Sequence, residues 1–425
     1  MALLLKNATY LDWRNFNISV RDIWVEEGLH GKIRFFNNDD SELKQMHAET
    51  LDCTDKIVTK SFAVGHHHAY SALARGMNPP KIDPKNFIEI LKYIWWTLDK
   101  CLDPKTIEYS ALTTAIACAK AGSSFVIDHH ASPFSVGNSL NIIADAFGKI
   151  GISHLLCYEI SDRDGEEIAQ QGLAETQKYL QKHQGLVGLH ASFTVADTTL
   201  KQAVEIMEKF NSGIHIHVAE DISDQEHCLN TYKKRVIERL HEAGATNSSK
   251  TILAHCLHLS DNEREIIRNS PCWVVQNMES NLNNKVGLFS GKNLGENIML
   301  GTDGMHSDML KSARFAYFAG QLHDDISYNQ AYSRFRNVHN YLSTNNFTGD
   351  GENNLVVLDY KSPTAMHSSN FPGHFLFGLE AGQVIHLISN GRLILKDRIL
   401  QTIDEDKVLK ESRKIATKLW QKMSL

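Results

Sequence analysis

The sequence predicts an α/β protein: a (β/α)8 (TIM) barrel with a small composite β-sandwich contributed by both chain ends. Three observations predict it. Apolar, β-branched runs alternate with helical stretches from Ile57 to Asp303, and the runs number eight. Side chains able to bind a metal fall at the C-terminal ends of six of these runs, the rim on which such barrels carry their sites: His66 with His68, then His129, His190, His217, His255 and Asp303. Short alternating runs flank the barrel on both sides. A doubly wound sheet can also have eight strands, but it does not gather six strand ends around one point.

Residues 1–56 form the first part of the sandwich, with strand periodicity at Leu3–Leu5, Asn17–Val20, Asp22–Val25 and Lys32–Phe36, broken by Gly and Asn. The barrel occupies 57–345. Its first strand is read as one run from Ile57 through Val64, ending in Gly65-His66-His67-His68. Helices are expected around Pro84 to Lys100 and Pro104 to Ala121. Ser124–Ile127 is then a strand ending in Asp128-His129-His130. Helix and strand continue to alternate through Ile152–Glu159, Leu186–His190, Gly213–Glu220, Thr251–His255, Cys272–Val275 and Glu296–Leu300, with one long charged helix expected between Glu220 and Ala243. After Asp303 come helices around Met309–Leu322 and Tyr328–Leu342. Residues 346–425 return to strand periodicity at Leu355–Leu358, Val384–Ile388 and Arg392–Leu395, and end in an amphipathic helix from Asp404 to Lys422.

A chain of 425 residues suits one barrel and a small partner unit. The net charge of −6 and the lack of a long Lys/Arg run argue against nucleic acid or an anionic membrane as partner. No apolar stretch is long enough to span a bilayer, and Met1–Lys6 is too short for a signal peptide core. The seven cysteines are scattered and odd in number, as in a reduced, cytoplasmic enzyme. The 22 histidines exceed what packing needs and point toward a metal.

On a strand, His66 and His68 share a face and His67 takes the other. Two imidazoles so placed can both reach one ion at about 2.0–2.1 Å. Of His215 and His217, which also share a face, His217 lies nearer the strand end and is the expected ligand; His215 is expected to be structural. Asp303 completes a set of three histidines and a carboxylate that suits a divalent ion with one position open for water. Such an ion lowers the pKa of water from 15.7 to about 7. Glu220, where the chain leaves its strand, can take a proton and return it to a leaving nitrogen. His255 can orient the attacking water. Singly each feature is weak, since a histidine ending an apolar strand is more often a satisfied core residue and Gly-Thr-Asp-Gly is common turn chemistry. Their convergence from four strands carries the reading.

The motifs Gly65-His66-His67-His68, Gly188-Leu189-His190, His217-Val218-Ala219-Glu220, Ala254-His255-Cys256-Leu257-His258 and Gly301-Thr302-Asp303-Gly304 together resemble the amidohydrolase superfamily, in its cytosine-deaminase-like and atrazine-chlorohydrolase-like group. Cys157-Tyr158-Glu159 with Ser161-Asp162-Arg163-Asp164-Gly165, and Ile127-Asp128-His129-His130-Ala131-Ser132, look most similar to aminohydrolases associated with selenium metabolism. The resemblance implies a mononuclear centre with His66, His68, His217 and Asp303 as ligands, His255 hydrogen-bonded beside the water, and His190 meeting a small-molecule substrate. It also implies a homo-oligomer, dimer or larger. No carbamylated lysine is expected, because the fourth strand ends in His190. One departure is Lys60-Ser61 where the family has Pro-Gly before the first histidine strand.

The expected activity is hydrolytic deamination of a cyclic amidine or other nitrogen heterocycle, with zinc as first choice of metal and iron second. His129 and Arg163 are expected to bind substrate, and His130, Asn277, Asn281 and His306 are further pocket candidates. The alternatives are a chlorohydrolase using the same centre and a non-catalytic metal-binding scaffold on the same fold.

Overall fold

Two sheets organise the chain in the computed structural model, which describes residues 2–37 and 47–423. Strands β1 (Leu3–Leu11), β2 (Ile18–Val25), β3 (Ile33–Phe36), β4 (Glu49–Asp52) and β5 (Ile57–Lys60) come first. The barrel strands follow: β6 (Phe62–His67), β7 (Ser123–His130), β8 (Ser153–Ile160), β9 (Val187–Ala191), β10 (Ile214–Val218), β11 (Ile252–His255), β12 (Trp273–Gln276) and β13 (Ile298–Leu300). The last four are β14 (Leu355–Leu358), β15 (Val384–Ser389), β16 (Arg392–Lys396) and β17 (Ile399–Leu400).

The eight strands β6 to β13 are parallel and lie in sequence order, with helices between them, as a (β/α)8 barrel requires. Alternation along each strand sorts the side chains. Ala63, Phe125, Ile127, Leu155, Cys157, Ile252, Val275 and Met299 fill the interior. Their neighbours Val64, Val126, Leu156, Leu253, Val274 and Leu300 pack outward against the helices.

The barrel closes between β13 and β6. The Thr302 and Asp303 N–H groups donate to the His66 carbonyl at 3.0 and 3.2 Å, and His67 bridges to Asp303. Gly65 and Gly301 permit this approach. A Cβ on Gly65 would lie 2.6 Å from the Leu300 carbonyl oxygen, and one on Gly301 would lie 2.8 Å from His66 Cβ.

The second sheet joins both chain ends in one hydrogen-bonded array of nine strands, with β5 between β1 and β14. One face of β14, Leu355 and Val357, joins Leu3, Leu5, Ile23, Val25 and Val58 in a separate apolar cluster, while Val356 and Leu358 join the core shared with the barrel helices. The expected barrel segment of 57–345 therefore begins differently. The run read as one strand is cut at Ser61, and Ile57–Lys60 belongs to the second sheet. Lys60-Ser61, the departure noted in the sequence, marks this junction. Buried Lys60 pairs with Asp350 at 2.8 Å, His339 Nδ1 meets the same carboxylate at 2.8 Å, and Arg336 donates to the Lys60 and Ser61 carbonyls.

The single charged helix expected after Glu220 is two, Ile222–Tyr232 and Val236–Glu242, because the chain turns at Lys233 with φ +59°. Strands β4 and β17 and the short helices Met278–Asn284 and Phe371–Phe377 were not expected. The terminal helix Glu405–Met423 packs on the barrel, with Lys120–Glu405 and Lys422–Asp103 pairs and Trp420 Nε1 donating to the Leu73 carbonyl. Residues 38–46 of the expected 1–56 unit lie outside the described residues. No helix among the described residues is long and apolar enough to cross a membrane.

Breaking a buried ion pair from one side typically costs about 3–5 kcal/mol, so Asp350→Asn is expected to lower unfolding free energy at pH 7 by roughly that amount. Burial favours the neutral acid, but His339 and Lys60 outweigh it and hold the Asp350 carboxyl at about 2, below its ordinary 3.8. A depressed carboxyl stabilises above its unfolded pKa and loses that contribution as pH falls through the folded one. The gap between wild type and Asp350→Asn in urea titrations should therefore narrow as pH falls from about 4 to 2; a gap constant over that window contradicts the assignment.

Candidate metal centre and active site

Each side chain of the centre is delivered by a strand end. At β6 the delivery depends on an irregularity: Val64 pairs with Val126 and His67 with Asp128, so Gly65 and His66 together oppose Ile127. This extra residue turns His66 inward; without it His66 would share the outward face of Phe62 and Val64. His68 follows directly. His217 comes from β10 on the inward parity of His215. His255 ends β11 with φ +71° and is followed by Cys256 at +56°; Asp303 has φ +49°. Left-handed backbone at non-glycine residues costs about 1–3 kcal/mol each. It persists here because the turn is tied down by Cys256 N–H to the Val218 carbonyl and by the closure hydrogen bonds of Asp303.

The side chains converge on one point. Asp303 Oδ1 lies 3.0 Å from His68 Nε2 and 3.3 Å from His66 Nε2, and His68 Nε2 lies 3.1 Å from His217 Nε2. The opposite ring nitrogens are committed. His68 Nδ1 donates to the His129 carbonyl at 2.6 Å, and His217 Nδ1 donates to the His190 carbonyl at 2.8 Å. In the neutral rings both Nε2 atoms are thus bare lone pairs that face each other beside a carboxylate. That is unfavourable unless a cation lies between them. His66 Nδ1 is held by His215 Nε2 at 2.8 Å, and its buried Nε2 has no hydrogen-bond partner. Burial pushes the His66 imidazole down to about 3 and His217 well below its ordinary value, the neutral form a metal needs. The donor set fits a divalent ion bound by His66, His68, His217 and Asp303.

Glu220 and His255 flank this point. His255 Nδ1 meets Asn281 Oδ1 at 2.8 Å, and its unpartnered Nε2 lies 3.5 Å from Glu220 Oε2. Burial pushes the Glu220 carboxyl up to about 7, against the pull of His255. Such a group exchanges protons near neutrality.

With this geometry in view, residues 62–335 match the amidohydrolase family. The chain belongs to that family. It is similar to a 5'-deoxyadenosine deaminase of Methanococcus vannielii, 26% identical over 410 residues that cover 91% of this chain and 94% of that protein. It is also similar to a 5-methylthioadenosine/S-adenosylhomocysteine deaminase of Thermoanaerobacter pseudethanolicus, 25% identical with 99% and 100% covered. Among solved structures, a zinc-bound adenosine deaminase from Xanthomonas campestris superimposes with a TM-score of 0.84 at 17% identity, covering 98% of both chains. An atrazine chlorohydrolase from Arthrobacter aurescens in complex with zinc gives 0.81 at 13% identity, covering 97% of this chain and 100% of that one. The protein is thus a hydrolase of C–N bonds other than peptide bonds.

The pocket of this amidohydrolase opens above the centre, lined by His68, His190, His217, Glu220 and Asp303 and walled by Tyr70, Phe87, Leu91, Trp95 and Trp96. Leu91–Trp95 is a π-turn, in which residues five apart align, so Leu91 and Trp96 both reach the pocket. Arg163, expected to bind substrate, lines the pocket but is committed to protein partners. Its side chain is only 8% exposed, donates to Asp99 and to Asp164, and stacks 5.1 Å from the Trp96 ring.

His129 corrects an expectation. Alternation on β7 points it into the floor below the ligands, wholly buried, with Nε2 donating to the His215 and Leu189 carbonyls at 3.1 and 3.2 Å. It supports the site and does not reach the pocket. His130 and Asn277 are also buried away from it, Asn281 holds His255, and His306 faces Glu279 at 3.0 Å in a neighbouring cavity. Sequence reading did not assign the aromatic wall, Asn283 and Asn284, or Glu159. The double tryptophan after an apolar run was the only signal for the wall.

Removing the carboxylate ligand in Asp303→Asn should abolish stoichiometric metal in elemental analysis. His215→Gln, which removes the ring that backs His66 and touches no proposed ligand but that one through a hydrogen bond, should weaken affinity about 10–100-fold in chelator competition. Full metal retention by Asp303→Asn would break the assignment.

Proposed function

We propose that the protein hydrolytically deaminates a nitrogen heterocycle of purine, pyrimidine, pterin or triazine type, using one divalent ion, zinc before iron, on His66, His68, His217 and Asp303. The carrying observation is the facing pair His68 Nε2 and His217 Nε2, 3.1 Å apart with both ring N–H groups committed elsewhere and Asp303 beside them. When bound, the ion supplies Lewis acidity that makes water a nucleophile near pH 7.

The rest is the work of the chain. Glu220 takes one proton from the attacking water and delivers it to a ring nitrogen, then takes the hydroxyl proton of the tetrahedral adduct and delivers it to the amine, which leaves as ammonia as the ring carbonyl forms. His255, fixed by Asn281 and adjacent to the Glu220 carboxyl, orients the water. Asp303 accepts a hydrogen bond from the nucleophile and aims it at the ring carbon. Tyr70, Trp95 and Trp96 offer flat apolar faces to a planar ring and exclude bulk water. The deaminase names of the similar proteins support an amine as leaving group. A cytoplasmic setting is supported by seven cysteines that are all free thiols.

Zinc-loaded protein is expected to release ammonia from at least one member of a purine, pyrimidine, pterin and triazine panel, and chelation should abolish turnover until zinc is restored. Glu220→Gln should lower kcat about 10²–10⁴-fold with bound zinc unchanged. Chloride release from chlorotriazines without ammonia from any ring would replace the proposal with the chlorohydrolase reading. No product at all from metal-replete protein would favour the scaffold.

A further inference from the structure

Beside the fixed guanidinium of Arg163, the pocket wall carries two acceptors. Glu159 is the next-to-last residue of β8, on the inward parity of Leu155 and Cys157. It is only 6% exposed, yet it lines the pocket. Its Oε2 lies 3.2 Å from His129 Nδ1, while its Oε1 lies 3.9 Å from Arg163 Nη1, beyond hydrogen-bond reach. Arg163 is not free to turn toward a ligand, because Asp99 and Asp164 take its other nitrogens and Trp96 packs on its plane. Oε1 therefore keeps an open acceptor site.

His190 adds a second. The Thr194 hydroxyl donates to the Ala191 carbonyl at 3.1 Å, so in its 2.6 Å contact with His190 Nδ1 it accepts. The His190 proton is then on Nδ1, and Nε2 faces the pocket as a lone pair. Glu159, His190 and His217 each offer an atom within 4.8 Å of the others, so this pair of acceptors adjoins the centre and meets the heterocycle itself rather than a distant substituent.

We propose that Glu159, with His190, is the residue that reads the substrate ring, accepting hydrogen bonds from ring N–H groups. The substrate class is then an amino-substituted heterocycle that also carries a lactam-type or imide-type N–H, such as an amino-oxo purine, pyrimidine or pterin. Adenine nucleosides fit this wall poorly, since their unsubstituted ring nitrogens N1, N3 and N7 are all acceptors, and facing acceptors leave a buried carboxylate unpaired. The inference rests on the deaminase reading above and narrows it. It also separates this chain from its adenine-nucleoside-acting relatives on chemical grounds, since a site built to pair a donor rejects ligands that lack one.

The test compares kcat/KM for ammonia release by zinc-loaded protein on guanine, cytosine and 2-amino-4-oxopteridine against adenosine, 5'-deoxyadenosine and 5'-methylthioadenosine. Wild type and Glu159→Gln are measured side by side, with zinc content and thermal melting recorded for each. The expected result is a preference of at least about 100-fold for one of the N–H rings in wild type, which Glu159→Gln reduces at least tenfold. A folding defect lowers both classes together, so the ratio isolates recognition from structure. Preference for the nucleosides, or a ratio that Glu159→Gln leaves unmoved, overturns the role of Glu159 while the deaminase reading stands. Ammonia from neither class and from no other ring overturns both.

Discussion

The carbonyl of His66 accepts the N–H groups of Thr302 and Asp303, and the site depends on that closure. It joins the last barrel strand to the first and sets Asp303 Oδ1 against the two imidazoles of β6. It is possible only because Gly65 and Gly301 have no side chains to keep the backbones apart. The extra residue at Gly65-His66 belongs to the same device, since it turns His66 inward at the level where Asp303 arrives. A barrel that closed one residue out of step would keep its fold and lose the convergence.

The price of this convergence is electrostatic. Several buried imidazoles and three carboxylates share one end of the barrel, and desolvation opposes every charge there. The backbone meets part of the cost by accepting from His68 and His217 through carbonyls of the adjacent strand, and from His129 through carbonyls across the barrel. The Nε2 atoms of His68 and His217 face each other with the Asp303 carboxylate beside them. His68 shows the strain: burial lowers its imidazole, yet Asp303 outweighs burial and holds it up at about 9, so a positive charge is favoured at this point. A divalent ion answers the same demand more fully than one proton, and binding energy of that kind also stabilises the closed barrel.

The barrel and its centre were legible because both rest on local periodicity. Strand alternation gave the shared face of His66 and His68, and the choice of His217 over His215, whose ring instead backs His66, followed from position along one strand. The limit of that logic is visible at His129. Its parity is the same as that of a ligand, but it sits one layer lower, and layer depth depends on strand stagger, which no single strand encodes. The cut at Ser61 was hidden because Ile57–Lys60 and Phe62–Val64 are equally apolar; only the partners, β14 on one side and β7 on the other, distinguish them. The aromatic wall was missed for a different reason. A π-turn changes which residues align, and helical periodicity over Leu91–Trp96 does not announce it.

The two sides of the pocket come from different parts of the barrel. The proposed proton handling and metal binding draw on the ends of β6, β10, β11 and β13, while Glu159, His190 and Arg163 come from β8, β9 and the loop between β8 and its following helix, and Trp95 and Trp96 from the helical segment after β6. Loops that leave separate strands of a barrel vary independently. One centre can therefore serve rings of opposite hydrogen-bond polarity by changing only the reading wall. The fold itself, shared at 13–17% identity with structures described as a deaminase and a chlorohydrolase, says little about which ring or leaving group is used. In this chain that information lies in how Arg163 is tied to Asp99 and Asp164, because that tie holds its remaining nitrogen 3.9 Å from Glu159 Oε1 and leaves this oxygen able to accept from the substrate.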